Sequence, residues 1–458
     1  MSTNNSNAQT PHKITVISGG TATNNLIPLF QSLTPSAEIS FCMPVSDNGG
    51  STSEILRVLG GPAIGDLRSR ITRLITDEGF KKILSYRLSE DPIDAKQEWT
   101  LIVEGIHPIW SDLEVHSKEM VRSFLIHVHM ELLKKSRNPL TNFKFEMASI
   151  GNLLLTGARL FVGSLDPAIE LILRMTRVDP LFQVLPCLNT NYTYHISALL
   201  QNGEIITGQS QISHPSEVIP NHPMTDLTVS MDNLTTSHSS SNCSPRVITG
   251  SFYNSILLSE NHEDVPYQHP DLLISQLKFS KDVNSPLASP ISRIFYINQY
   301  GEEIHPNAST RTIKALSQSN VIWYSIGSLM TSIVPVLVLR GVGETIQANC
   351  KAKKILLLNG NQDRETTGLD ASGFIRTIYN ACCYSFGADS NPQLKLSEIL
   401  TDLIYIEDSE IKVNLAEIQS VMGVKCTQIQ KDQIGEETGI NLYDPKDLLD
   451  KVQSIIEH

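Results

Sequence analysis

Positive charge is in short supply: 36 Lys and Arg stand against 48 Asp and Glu, a formal net charge of −12. A protein that works by neutralising nucleic-acid phosphates needs the opposite balance, so no nucleic-acid partner is expected. Long hydrophobic runs are missing too. Nothing approaches the roughly 18 consecutive apolar residues of a membrane-spanning helix, and no membrane partner is expected. The seven cysteines, Cys42, Cys187, Cys243, Cys350, Cys382, Cys383 and Cys426, are scattered, with no Cys-x-x-Cys pair. Structural zinc and a disulfide framework are therefore unsupported, and the pattern suits reduced thiols in the cytosol or nucleus, with the cytoplasm the expected location. The polar start MSTNNSNAQTPH lacks the basic and apolar regions of a secretory signal and reads as a loose tail over 1–12.

Familiar catalytic signatures are also lacking. There is no Gly-x-Gly-x-x-Gly fingerprint, no P-loop lysine, no Gly-x-Ser-x-Gly elbow and no His-Glu-x-x-His. His127 and His129 sit in a helical pattern without other spaced ligands, which suits packing or surface roles. Haem and pyridoxal phosphate are not expected.

What is present is strand–helix alternation with polar turns. An apolar run at Ile14–Ile17 ends in Ser18-Gly19-Gly20-Thr21, and an apolar helical face follows at Leu26, Ile27, Leu29, Phe30 and Leu33. A second strand, Ile39–Val45, leads through Asp47-Asn48-Gly49-Gly50 to a helix over Ser51–Leu59. Such spacing implies a right-handed crossover and an α/β fold built on a parallel sheet. Residues 68–137 read as mostly helical side packing, with a long segment around Leu113–Leu133. Further strands are expected at Val184–Pro186, Tyr194–Leu200, Glu204–Thr207, Ile291–Asn298, Val321–Ser325, Lys354–Asn359, Leu403–Glu407 and Val424–Thr427. One α/β domain over 13–430 carries flexible polar insertions near 213–245 and 259–289. A helical extension over 431–458 closes the chain, with its helix at Pro445–Ile456.

Polar turns and helix starts supply the candidate sites. Gly19, Gly20 and Thr21 can bring backbone N–H groups close to a phosphate, or simply make a tight strand–helix turn. Asp47, at a strand end, can hold Mg²⁺ or a ribose hydroxyl, or form an Asx turn. Asp66 can share that metal and Arg68 can pair a phosphate, or the two can serve as a helix start with a surface charge. Asn152 opens a helix and can orient a ligand or cap. Ser328 and Thr331 follow a buried strand and can bind a second phosphate or serve as loop filler.

The blocks SGGT, SDNGGS, GDLRSRI, SIGNLLLTG, IGSLMTSIVPVLV and KILLLNGNQDRETTG, in this order from Ile14 to Thr427, resemble the CofD/YvcK family. The resemblance implies a Rossmann-like α/β domain whose ligand site crosses these turns, and a homodimer by analogy. Its CofD branch transfers a phospholactyl-type group from a nucleotide diphosphate to an acceptor hydroxyl with Mg²⁺. Its YvcK branch binds UDP-sugars and acts in carbon metabolism. Asp47-Asn48-Gly49-Gly50-Ser51 and Gly65-Asp66-Leu67-Arg68 resemble the YvcK versions more. The expectation is a regulatory UDP-sugar binder, with a CofD-like transferase and an interaction scaffold as rivals. Gly19, Gly20 and Thr21 would cradle one phosphate and Ser328 with Thr331 another. Asp47 and Asp66 would hold ribose or Mg²⁺ and are the candidate catalytic groups, while Arg68, Asn48, Gly49 and Asn152 complete the site. Two departures stand out. Ala22 replaces the last glycine of the family's GGTG, which would forfeit a glycine-only backbone angle, and Asn48 replaces a second aspartate.

Overall fold

The computed structural model describes residues 11–34, 36–46, 49–138, 141–213, 286–387, 390, 392–432 and 441–457. Asp47, Asn48, most of the expected tail, and nearly all of both expected insertions lie outside these. The first strand, β1 (His12–Ile17), is pinned on both sides by parallel partners. Ile14 stands opposite Ile39 of β2 (Ala37–Met43) and opposite Val321 of β8 (Val321–Tyr324). β3 (Phe182–Pro186) extends the sheet beyond β2. β9 (Lys353–Leu357), β10 (Asp402–Ile406) and β11 (Lys425–Ile429) extend it beyond β8. The order is β11-β10-β9-β8-β1-β2-β3, parallel throughout. Strands covered on both faces must be apolar on both, and Ile14, Val16, Ile17, Phe41, Trp323 and Ile355 are all buried. β1 already begins at His12, inside the span that reads as a tail.

Helix α1 (Ile27–Leu33) carries Pro28 in its first turn, where the missing N–H costs nothing. It drops Phe30 onto the sheet, edge-on to both Phe41 and Trp323 at 5.3 Å between ring centroids. Between β2 and β3 the described residues include seven α-helices: α2 (Ser51–Leu59), α3 (Gly65–Leu74), α4 (Glu78–Ser85), α5 (Pro92–Glu104), α6 (Val115–Lys135), α7 (Ile150–Val162) and α8 (Leu165–Met175). Their starts are written locally: Asp77 caps α4, Asp91 caps α5 ahead of Pro92, and Ser149 caps α7. Every residue from Ile150 to Arg159 of α7 is buried, which makes it the axis of this layer. His129 accepts the Trp99 Nε1–H at 3.0 Å, so it pins α5 to α6.

A second, antiparallel sheet holds β4 (His195–Leu200), β5 (Ile205–Thr207), β6 (Ile291–Ile297) and β7 (Glu303–Ile304), in the order β5-β4-β6-β7. At the far end, Tyr443 donates its hydroxyl to Leu358 O at 2.6 Å, joining the residues before the helix Pro445–Glu457 to the main sheet. The expected α/β class, with its parallel sheet and helical side elements, is the one found.

Candidate functional site

The chain reverses its sense of winding across β1. It adds β2 and β3 on one side, then returns to add β8, β9, β10 and β11 on the other. Loops at the carboxyl ends of a parallel sheet part at such a switch point and leave a crevice. Here the turn after β1, starting at Ser18, faces the turn after β8, starting at Ser325.

The first turn is glycine because other groups press on its backbone. A Cβ on Gly20 would stand 2.2 Å from Asp66 Oδ1 and 3.1 Å from Asp66 Cα, and one on Gly19 would stand 2.3 Å from Ser332 Oγ. Asp66 lies in the first turn of α3, and its carboxylate accepts the Gly20 N–H. Burial pushes its pKa above the ordinary value, against the pull of Arg70, the Gly20 N–H and Arg68. Ala22 takes ordinary right-handed helical angles, φ −65° and ψ −48°, so this position has no need of glycine. The feared loss of a glycine-only angle does not arise.

Arg70 follows Asp66 by one helical turn and is fully buried. Its Nη2 donates to Gly19 O at 2.8 Å, and its guanidinium lies over the Phe41 ring, 4.4 Å from the centroid. Nε and Nη1 have no hydrogen-bond partner. Burial lowers its pKa to about 9, so it remains a cation at neutral pH. Arg68, on another face of α3, donates from Nε to Asn152 Oδ1 at 3.0 Å. Burial, then the nearby Arg87, lowers Arg68 to about 10. The Asn152 amide in turn donates to Ser51 Oγ at 3.0 Å and Thr52 Oγ1 at 3.3 Å. Asn152 therefore clamps α7 to the starts of α2 and α3.

The opposite wall is built of hydroxyls around one carboxylate. Gly327, at φ +134°, is held by Asn359, which accepts its N–H at 3.0 Å and donates to its carbonyl at 2.7 Å. Ser328 donates its hydroxyl to Glu365 Oε2, and Thr331 Oγ1 donates to Glu365 Oε1 at 2.8 Å. Glu365 is 5% exposed. Burial, then Asp363, raises its pKa to about 7, with Ser328 and Thr331 opposing. Thr23 ties the walls together: its hydroxyl donates to Ile326 O at 2.8 Å and lies 3.0 Å from Ser325 Oγ.

The sheet thus gathers Gly19, Gly20, Asp66 and Arg68 at one wall, with Asn152 behind Arg68 and Ser328 and Thr331 across the crevice. Thr21 is exposed and Gly49 is buried, while Asp47 and Asn48 lie outside the described residues. Arg70 and Glu365 are additions that sequence reasoning missed. Arg70 had a readable signal, its four-residue spacing from Asp66 on one helix face. Glu365 sits in the polar run Asn361–Thr367 and carries no such signal. Magnesium, implied by the resemblance, would need Asp47 and Asp66. Among the described residues no three His, Cys, Asp or Glu side chains gather as metal ligands. Asp66 is buried with its pKa raised, and it already faces two guanidinium groups and takes a backbone N–H, surroundings that disfavour a further cation beside it. A separate cavity of about 960 Å³, lined by Glu303, His305, Arg340, Glu344 and Tyr384 among others, shares no residue with this crevice.

Fold and crevice define a doubly wound α/β protein with its candidate ligand site at the topological switch point. The chain belongs to the CofD/YvcK family: the family profile described as 2-phospho-L-lactate transferase CofD matches residues 14–445. It is 44% identical over 436 residues to the uncharacterised protein YNL011C of Saccharomyces cerevisiae, covering 91% of this chain and 95% of that one. It is 32% identical over 98 residues to a putative gluconeogenesis factor of Thermotoga maritima, covering 21% of this chain and 31% of that protein. Two crystal structures of BH3568 from Bacillus halodurans share the fold. One has a TM-score of 0.57 and 16% identity, covering 98% of this chain and 100% of its own. The other, titled a member of the UPF0052 family, has a TM-score of 0.58 and 16% identity, covering 97% and 99%. No described helix is long and apolar enough to cross a membrane.

Proposed function

We propose that this protein binds a nucleotide-diphosphate sugar of the UDP-sugar type at the switch-point crevice and acts as a cytoplasmic regulator in carbon metabolism. The observation that carries the reading is the wall after β1, where a closely packed Gly19-Gly20 turn stands beside Arg68 and the buried Arg70. Arg70 places a full positive charge under that turn with two nitrogens unpartnered, a field that an anionic diphosphate above the turn would offset. The name of the Thermotoga relative, a putative gluconeogenesis factor, supports the metabolic setting. In this reading Asn152 fixes Arg68 toward the ligand, and Asp66 orients the Gly20 peptide. A homodimer is the assembly we expect.

The second reading is a transferase that moves a phospholactyl-type group from a nucleotide diphosphate to an acceptor hydroxyl. It is favoured by the family profile, whose description names that activity and which spans nearly the whole chain. Asp66 would then hold the donor's polar groups, with Arg68 and Arg70 offsetting the charge on the diphosphate. Calorimetric titration with UDP-glucose, UDP, GDP and GTP, with and without Mg²⁺, separates the two. Binding of UDP-glucose without turnover is the expected result. Magnesium-dependent consumption of a nucleotide-diphosphate donor overturns it in favour of the transferase. Absence of any nucleotide binding overturns both.

A further inference from the structure

Helix α6, Val115–Lys135, is apolar on two faces, and the fold covers one of them. Its inner face, Ser117, Val121, Leu125, Val128 and Leu132, is buried. α6 lies tight on α7, where a Cβ on Gly157 would stand 2.1 Å from Phe124 O. The outer face carries Met120, Ile126, Met130 and Leu133, between 37% and 55% exposed. Ile126, Met130 and Leu133 follow in steps of four and three residues, so they share one side of the helix, opposite Val128. Phe161, near the end of α7, widens the stripe. Its ring lies 5.6 Å from that of Phe124 and 6.1 Å from that of His127, and the residue is 66% exposed. A helix that is apolar all round suits burial on all sides.

We propose that this stripe seats a second copy of the chain, with two α6 helices packed antiparallel about a two-fold axis near Ile126 and His127. This goes beyond the homodimer expected above by giving it a surface. Self-complementary charge argues for a second copy and sets its direction. Exposed Glu114 and Glu119 stand at the start of the helix, and exposed Lys134 and Lys135 at its end. The lysine and arginine of the first half are turned aside: Lys118 Nζ donates to Gly105 O and Arg122 Nε to Val103 O, both at 2.7 Å. An antiparallel pair therefore sets each acidic end against the other copy's basic end, whereas a parallel pair sets like ends together. Glu119 and Lys134 also hold Arg122 at 2.9 Å and Glu131 at 2.6 Å on their own helix, exposed pairs that cost little to share. The area agrees. At roughly 150 Å² or more for each large side chain, the five leave about 400 Å² of apolar surface per copy. With a polar rim added, a two-fold pair reaches the ~1,000 Å² of a specific interface.

The test is sedimentation velocity of the full-length chain, from submicromolar to tens of micromolar and without nucleotide. Wild type should be dimeric. Met130→Glu changes an exposed side chain, so the urea midpoint should hold, while a charge set into the apolar seam should weaken dimerisation at least ~100-fold. Glu119→Lys and Lys134→Glu should each weaken it about fivefold by bringing like charges together, and the double variant should restore it. Within one helix both changes place like charges side by side, against Arg122 and Glu131, so a rescue can come only from across the pair. Dimers that withstand Met130→Glu overturn the surface and leave the homodimer standing. Charge variants that weaken the dimer without mutual rescue overturn the antiparallel seating. A wild type that stays monomeric overturns surface and homodimer together, whatever else covers α6. If Met130→Glu fails to fold, the charge pair decides alone. No nucleotide enters the experiment, so the UDP-sugar reading stands or falls separately.

Discussion

The two walls of the crevice come from the same kind of structure, a turn at the carboxyl end of a parallel strand, yet their chemistry is opposite. After β1, the backbone is bare glycine, the nearest helix carries Arg68 and Arg70, and the carboxylate of Asp66 is held by a backbone N–H. After β8, the turn is hydroxylated, and its hydroxyls bond to a buried Glu365 and to each other. The difference follows from what each turn packs against. β1 is flanked by α3, whose Asp66–Arg70 face runs along the Gly19-Gly20 backbone. β8 is flanked by the polar loop after β9, which delivers a carboxylate. A parallel sheet thus supplies position, and the element laid over each strand end supplies charge.

The heaviest blow to the first wall should be Gly20→Ala. The added Cβ would lie 2.2 Å from Asp66 Oδ1 and 3.1 Å from its Cα, so α3 itself must move. We expect a loss of about 3 kcal/mol in urea denaturation and at least ~100-fold weaker UDP-glucose binding. Gly163→Ala has open space at its Cβ and lies outside the crevice, so it should cost stability through its φ of +84° while leaving affinity alone. Equal affinities for the two variants would mean that the glycine turn is packing only.

The second wall should instead show itself through pH. Glu365 is raised from an ordinary 4.5 to about 7, so the folded state holds its proton more tightly than the unfolded chain does. Its contribution to stability is complete below about pH 4.5 and is lost as pH rises through about 7. Wild type should lose about 2 kcal/mol relative to Glu365→Gln between pH 5 and 7. Parallel stability curves for the two proteins would show that Glu365 titrates normally. Asp66 is also raised, by burial against the pull of Arg70, the Gly20 N–H and Arg68, so its contribution has the same sign, present at low pH and lost as pH rises, and Asp66→Asn tests it.

The walls were unequally legible. The glycine turn, Asp66, Arg68, Asn152, Ser328 and Thr331 all stand at ends of strands and starts of helices that hydrophobic periodicity marks out, and α2 falls on its expected Ser51–Leu59. Arg70 is also written into the sequence, one helical turn from Asp66. Glu365 is not. Its neighbours Asn361 to Thr367 read as a solvated loop, and its burial arises only when that loop folds over the turn after β8, a tertiary event without local periodicity. The pairing of β4 with β6 was hidden for the same kind of reason. The hairpin at Asn202-Gly203 announces β5 as a partner, but nothing local links His195 to Ile297 across the long segment between them. Asp66 was expected to look toward a metal, and its actual partner, the Gly20 N–H, depends on an approach that no spacing rule reports.

Asn152 sharpens the comparison because it serves the first wall from behind. Its side-chain amide holds Arg68, Ser51 and Thr52 while buried to 2% exposure. Asn152→Ala should cost about 1.5 kcal/mol, and Arg68, released, should hold a phosphate less firmly, with pyrophosphate binding about fivefold weaker. Unchanged pyrophosphate binding would mean that Asn152 serves packing alone.

Thr23 is where coupling between the walls would run, and it carries the smallest expected effect. Its hydroxyl reaches from the turn after β1 to Ile326 O and Ser325 Oγ on the turn after β8, while the residue itself is fully buried. Thr23→Val keeps the shape and removes the donor, so the loss should be that of one buried hydrogen bond, about 1 kcal/mol. Ser325 is buried and must find another partner, whereas Ile326 is partly exposed and can take water, which keeps the cost near that figure. Thr23→Ser keeps the donor and serves as the control. With the tie cut, Gly20→Ala and Glu365→Gln should become strictly additive in denaturation, and any coupling between them in the wild-type background should disappear. Coupling that persists in Thr23→Val would show that the walls communicate through the β1–β8 ladder, whose register, Ile14 to Val321 and Ile17 to Tyr324, is untouched by the substitution.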